Sequence, residues 1–207
     1  MIMKKTLFLP IAFTALLLSG CNERQNLSED LQGVWAGAPE TLADTGAAKA
    51  SMVRLMEFNP TGDNGEGSVT MTTFITVENV MPANDSIVTP LTITASGTAT
   101  ISGIYQARDD DEITLSLDAS SMTVNVDPQA VRLNYDVLDG ESSSTLTHLK
   151  PAASVLATQQ ITHAAQRVFA NLTEMDDIEI KKDLMLCELH HKDLTFRRQD
   201  PSQMTGK

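Results

Sequence analysis

The chain is poor in the residues that most readily declare a function. Its 207 residues include two cysteines, four histidines, one tryptophan and two tyrosines, and aromatics make up only 4%. Surface sugar binders display aromatic platforms, so this shortage weighs against glycan binding. Basic residues are outnumbered 15 to 27, for a formal net charge of −12. Such a surface repels phosphates, which excludes nucleic acid as a partner, and it gives no electrostatic grip on anionic lipid. There is no apolar run of spanning length. The uncharged apolar stretch before Cys21, Leu7 to Leu18, is interrupted by Pro10 and falls short of the roughly 20 residues a membrane helix needs. Catalytic signatures are missing too: no Gly-x-Ser-x-Gly elbow and no Walker A or Gly-x-Gly-x-x-Gly loop. His148 and His163 have no partner that the sequence identifies. His190 and His191 are adjacent, which on a strand sends them to opposite faces, and zinc-ligand spacings are absent. Asp109-Asp110-Asp111-Glu112 lacks the alternate-residue spacing and glycine of an EF-hand loop. Both segments read as solvated turns. The expectation is no catalytic residue, no metal and no cofactor.

What is present begins at the N-terminus. Lys4 and Lys5 precede the uncharged stretch, and Leu18-Ser19-Gly20-Cys21 closes it. A basic start, a short apolar run and small residues before a cut are the layout of a secretory signal. The run resembles a bacterial lipobox. That resemblance implies cleavage before Cys21, acylation of its thiol, and attachment to membrane through the acyl groups. Each buried CH₂ contributes roughly 0.8 kcal/mol, so several chains on one cysteine hold firmly. In lipoproteins of this kind an aspartate after the cysteine retains the chain at the inner membrane. Asn22 stands there, which implies the outer membrane of the cell envelope. Removing residues 1–20 leaves 187 residues and, with Lys4 and Lys5 gone, a net charge of −14. That length suits one domain. With Cys21 committed to lipid, Cys187 is alone and no intramolecular disulfide is available. In an apolar strand it reads as a small core residue.

Residues 21–30 read as a lipidated tether, with a short helical turn at Ser28-Glu29-Asp30, and residues 31–198 as a β-rich domain. After Val34 and Trp35 comes an Ala/Gly/Thr-rich loop, 36–50. From Ser51 the pattern is β. Met52–Phe58 is a strand, and Asn59–Gly65 a dense turn. Val69, Met71, Thr73, Ile75 and Val77 share one face of the next strand, by period-2 alternation. A loop over 81–89 follows, then a Thr/Ile-rich stretch from Leu91 to Gln106 in which Gly97 and Gly103 read as bulges or bends. Three shorter strands lie at 113–117, 122–126 and 131–137. Near Pro151 the period changes. Ile161, Ala164, Ala165, Val168, Phe169 and Leu172 form one face of an amphipathic helix over 152–171, which carries one basic residue, Arg167, and so reads as packed on the sheet rather than on lipid. A charged connector at 176–182 leads to a terminal hairpin, Leu184–Leu189 and Leu194–Phe196, turning at 191–193. Residues 199–207 read as a disordered tail.

Together these pieces resemble the lipocalin-like branch of the calycins. The match rests on a helical turn before Gly33-Val34-Trp35, the Glu57–Gly62 hairpin, Gly103-Ile104-Tyr105 and the terminal Leu194-Thr195-Phe196. The resemblance implies an antiparallel barrel whose base is closed by Gly33 and Trp35. The long loop at 36–50 and the inserted helix depart from the pattern, so an open barrel or a sandwich is the alternative architecture. The implied function is a membrane-anchored lipoprotein that binds a small apolar or amphiphilic ligand, lipid-like in character. The alternative is a structural or assembly lipoprotein that binds another envelope protein, facing the periplasm or the exterior. Interior volume discriminates between them: an apolar cavity of roughly 300 Å³ or more favours the ligand binder.

Overall fold

The computed structural model describes residues 23–62, 64–83, 90–135, 142–170 and 172–200. The described part of helix α1 (23–31) leads into β1 (Gly33–Gly37) and β2 (Glu40–Asp44). Three long strands follow: β3 (Ala48–Pro60), β4 (Glu66–Met81) and β5 (Leu91–Ala107). Then come β6 (Ile113–Leu117), a 3₁₀ turn at Ala119–Ser121, β7 (Thr123–Val126), β8 (Arg132–Tyr135), α2 (Ser142–Ala170), β9 (Glu174–Lys181), β10 (Leu184–Leu189) and β11 (Lys192–Gln199). The fold is mainly β and antiparallel throughout.

Alternation builds the long strands. Met52, Arg54, Met56 and Phe58 of β3 are buried, as are Val69, Met71, Thr73, Ile75 and Val77 of β4. The pairing register sets Met56 opposite Met71 and Arg54 opposite Thr73, so these side chains share one concave face. The sheet curls until it meets itself. The neighbours run β1-β11-β10-β9-β6-β5-β4-β3, and β3 pairs back to β1. An eight-stranded ring is just wide enough for side chains to fill. At this end it is filled by Trp35, Met56, Phe58, Met71, Tyr105, Met185 and Phe196, all essentially inaccessible.

The other end is open. β2 continues the line of β1 along β3, past a break at Ala38 and Pro39, and pairs with β3 alone. β7 and β8 likewise continue β6 along β5. Helix α2 fills the gap. Its buried residues Ala153, Ala157, Ile161, Ala165 and Phe169 recur every fourth position and so lie on one stripe. They pack on β4, β5, β7 and β8, where β5 presents the small residues Ala95, Gly97 and Ala99. A Cβ on Gly97 would lie 2.8 Å from Asn125 O and 3.2 Å from Ile161 Cδ1. Small residues let the helix axis approach the sheet closely.

Several expectations are corrected. Residues 23–30 are not a polar tether: they are helical, with Leu27 and Ser28 buried. Segment 36–50 is not one loop, because it contains β2 and the start of β3. Gly97 and Gly103 are not bulges, since β4 and β5 pair without a register shift. They are points of close approach, Gly97 to the helix and Gly103 to the β6 backbone. The connector at 176–182 falls in strand β9, its acidic residues interspersed with buried Met175 and Ile178. Helix α2 starts before Pro151 and runs through it. A proline within a helix removes one hydrogen bond without ending the element when packing elsewhere holds it. The terminal hairpin turns at His190 and His191, both with positive φ (52° and 59°), between paired Leu189 and Lys192. That is the two-residue turn whose twist matches antiparallel strands. β11 extends to Gln199, and residues 201–207 of the expected tail lie outside the described residues.

Candidate ligand cavity at the open end of the barrel

Between α2, β2, the upper half of β3 and the β10–β11 turn lies a cavity of about 450 Å³. Its apolar wall includes Leu42, Met52, Val77, Val168, Leu189 and Leu194. Ala164 and Val168 face it from α2, half-buried, while Ile161 and Ala165 beside them are sealed against the sheet. The helical face expected from sequence is therefore divided: one part docks the helix and the other lines the cavity. At the rim, Asn79 Nδ2 donates to Gln160 Oε1 at 2.6 Å and ties α2 to β4.

The charged lining is unusual for this chain. Lys49, Arg54, Arg167 and Lys192 contribute to it, against one acidic residue, Glu40. Arg54 is only 4% exposed. Its Nη2 donates to Glu40 Oε2 at 3.3 Å and lies 3.2 Å from Oε1. Its Nε and Nη1 have no hydrogen-bond partner. Burial lowers the Arg54 pKa from its ordinary value, with Glu40 pulling the other way. A guanidinium remains charged in either case. Cys187 is buried on β10, and burial pushes its thiol up to about 12, partly offset by Arg54.

The opposite end is sealed. Trp35 is fully buried on β1, and its Nε1–H donates to Leu31 O of α1 at 2.7 Å. The Arg198 guanidinium lies 4.3 Å from the centre of the Trp35 ring. It donates to Asp30 O at 2.8 Å and also to Gln32 O. Tyr105 stacks edge-on with Phe58 at 5.4 Å and shares a 2.7 Å hydrogen bond with Ser28 of α1. Gly67 makes room for it: a Cβ there would sit 2.4 Å from the Tyr105 ring. Gly33, at φ 115°, starts β1 beside Arg198.

Of the residues singled out from sequence, Gly33 and Trp35 come together at the sealed end. Cys21 lies outside the described residues. His191 is exposed and pairs with Glu188 at 3.1 Å, whereas His163 and His190 contribute to the cavity lining. His148 is exposed. Asp109–Glu112 form part of the turn from β5 to β6. Among the described residues no group of three His, Cys, Asp or Glu is placed to hold a metal, and no helix is long and apolar enough to cross a membrane. Sequence reasoning missed Arg54 and Arg198. Arg54 was detectable as a charge at an inward position of an alternating strand, between Met52 and Met56. No family model and no curated protein matches the chain.

Proposed function

We propose that this protein is a membrane-anchored lipoprotein, lipidated at Cys21, that carries a small apolar or amphiphilic ligand in the open end of a lipocalin-like barrel. The observation that carries the reading is the cavity of about 450 Å³ between α2 and the strands. It falls within the roughly 300–1,000 Å³ range of small-molecule sites and combines an apolar wall with a few polar groups. The sealed end, by contrast, is solid with side chains. Among the described residues, the exposed large apolar side chains Phe74, Ile104, Val155 and Leu186 lie on four different elements, which gives little support to a protein-docking patch. The anchor rests on the Lys4-Lys5 start and the Leu18–Cys21 run.

The test is binding of the neutral dye N-phenyl-1-naphthylamine, whose fluorescence rises in apolar surroundings. Saturable binding is expected. Ala164→Trp fills the cavity from α2 without touching the buried stripe and should abolish it. A dye that does not bind, or that binds Ala164→Trp equally well, overturns the cavity as the ligand site.

A further inference from the structure

We propose that the ligand is an amphiphile with a singly charged acidic head group, a carboxylate, held beside Arg54 with its apolar tail along α2 and β3. This deepens the ligand-binding reading and rests on it. Two independent observations carry it. The first is the sign of the cavity. Acidic residues outnumber basic ones 27 to 15 in the chain, yet four Lys or Arg and one Glu line this cavity. A concave wall of one sign focuses its field on what enters. Lys49 is drawn partly outward, to Glu78 at 3.8 Å, by a pair that is well exposed and therefore weak.

The second observation is the state of Arg54. It is nine-tenths buried on the cavity side of β3, with one carboxylate against Nη2 and two N–H groups without acceptors. Buried donors without partners are costly, and charged ones more so. A packed arginine that served only the fold would have its remaining donors met by backbone or side-chain oxygens. An anionic oxygen beside it would supply a charge-assisted bond in a low-dielectric wall. Glu40 sets the charge of the guest. It balances part of the Arg54 charge and would repel a dianion, so a monoanion fits best. The tail then lies against Leu42, Met52, Val77, Val168, Leu189 and Leu194.

The experiment displaces bound N-phenyl-1-naphthylamine from the full chain with decanoate, decanol and decyltrimethylammonium. Decanoate should compete at a concentration at least about ten-fold lower than decanol, the scale of one charge-assisted hydrogen bond, and the cation should compete worst. Arg54→Met should remove the advantage of decanoate while leaving decanol unchanged. Glu40→Gln should widen it, because the competing carboxylate is gone. If the dye binds but decanoate is no better than decanol, the acidic-ligand inference falls and the cavity reading stands. If the dye does not bind, both fall. A decanoate preference that survives Arg54→Met overturns Arg54 as the anchor. Should Arg54→Met fail to fold, Glu40→Gln decides alone, and an unchanged preference there overturns the inference.

Discussion

Trp35 holds the sealed end by three different interactions. Its ring is buried, its indole N–H closes onto Leu31 O, and Arg198 covers its face. The last carbonyls of a helix lack intrahelical partners, and Arg198 supplies donors to Asp30 O and Gln32 O at the end of α1. One arginine thus joins α1, β1 and β11. Trp35→Ala is expected to lower stability by about 3–5 kcal/mol, the range for emptying a buried large aromatic site. Arg198→Met keeps most of the stem and is expected to cost about 1–3 kcal/mol, through two lost hydrogen bonds and the ring contact. Guanidinium chloride midpoints check both, and an Arg198→Met midpoint equal to wild type would show that the arginine is a bystander. Cys187 supplies a residue-scale prediction of another kind. Its thiol is 4% exposed with a pKa of about 12, and the thiolate is the reactive form. In a Cys21→Ser chain, where Cys187 is the sole thiol, a chromogenic disulfide reagent at pH 8 should react only as fast as the protein opens. Prompt stoichiometric reaction would contradict the buried placement.

Among the elements, β5 and β9 carry the sharpest tests. Gly97 of β5 leaves room for α2, and any Cβ there meets Asn125 O, Val126 and Ile161 at 2.8–3.2 Å. Gly97→Val is expected to destabilise by about 1–3 kcal/mol, the cost of overpacking. If thermal unfolding is unchanged, α2 is not seated against β5. β9 meets β6 through only two register pairs, Ile113 with Met175 and Thr114 with Glu174. At this seam Asp176 is pushed above its ordinary pKa, first by burial and then by Glu174, Glu112, Glu188 and Asp177. An acid whose folded pKa is raised binds its proton more tightly in the native state. Its contribution to stability is therefore greatest below the unfolded pKa and is lost as pH rises through the folded one. Asp176→Asn should raise the melting temperature at pH 7, and by less at pH 4. The same gain at both pH values would remove charge as the cause.

That seam also shows what the sequence conceals. The alternation of β3, β4 and β5 is long and regular, and it was legible as strand. In β9, buried Met175 and Ile178 are an odd number of residues apart, because a bulge at Asp177, with φ 50°, intervenes. The period breaks and the acids dominate, so the segment reads as a connector. The candidate site is harder still. It is assembled from β2, β3, α2 and the β10–β11 turn, segments up to about 150 residues apart whose proximity no local pattern encodes. Arg54 was visible as an inward charge. What it faces was not.

At the scale of the whole molecule, the two ends of the barrel differ in chemistry, and the anchor proposed at Cys21 would decide which end meets the membrane. The described part of α1, from residue 23, is docked on the sealed end, with Arg24 O 2.9 Å from where a Cβ on Gly65 would lie, in the β3–β4 turn. Cys21 precedes residue 23 by two positions in the sequence, which at about 3.8 Å per Cα step span less than 8 Å. With Cys21 acylated as proposed, the sealed end is held near the bilayer. The cavity then opens away from it, beyond roughly 40 Å of strand if β3 is taken at about 3.3 Å per residue. A ligand would be exchanged with the aqueous side or with another molecule there, not by lateral entry from the membrane. The geometry is testable with a single fluorophore placed by cysteine substitution at Thr61, in the exposed turn beside Gly65, or at His191, whose side chain is 99% exposed at the cavity end. In liposomes holding the lipidated protein, nitroxide head-group lipids should quench the label at residue 61 strongly and the label at 191 hardly at all. Equal quenching at the two sites would mean that the barrel lies flat or tumbles on its anchor, and the outward-facing cavity would have to be given up.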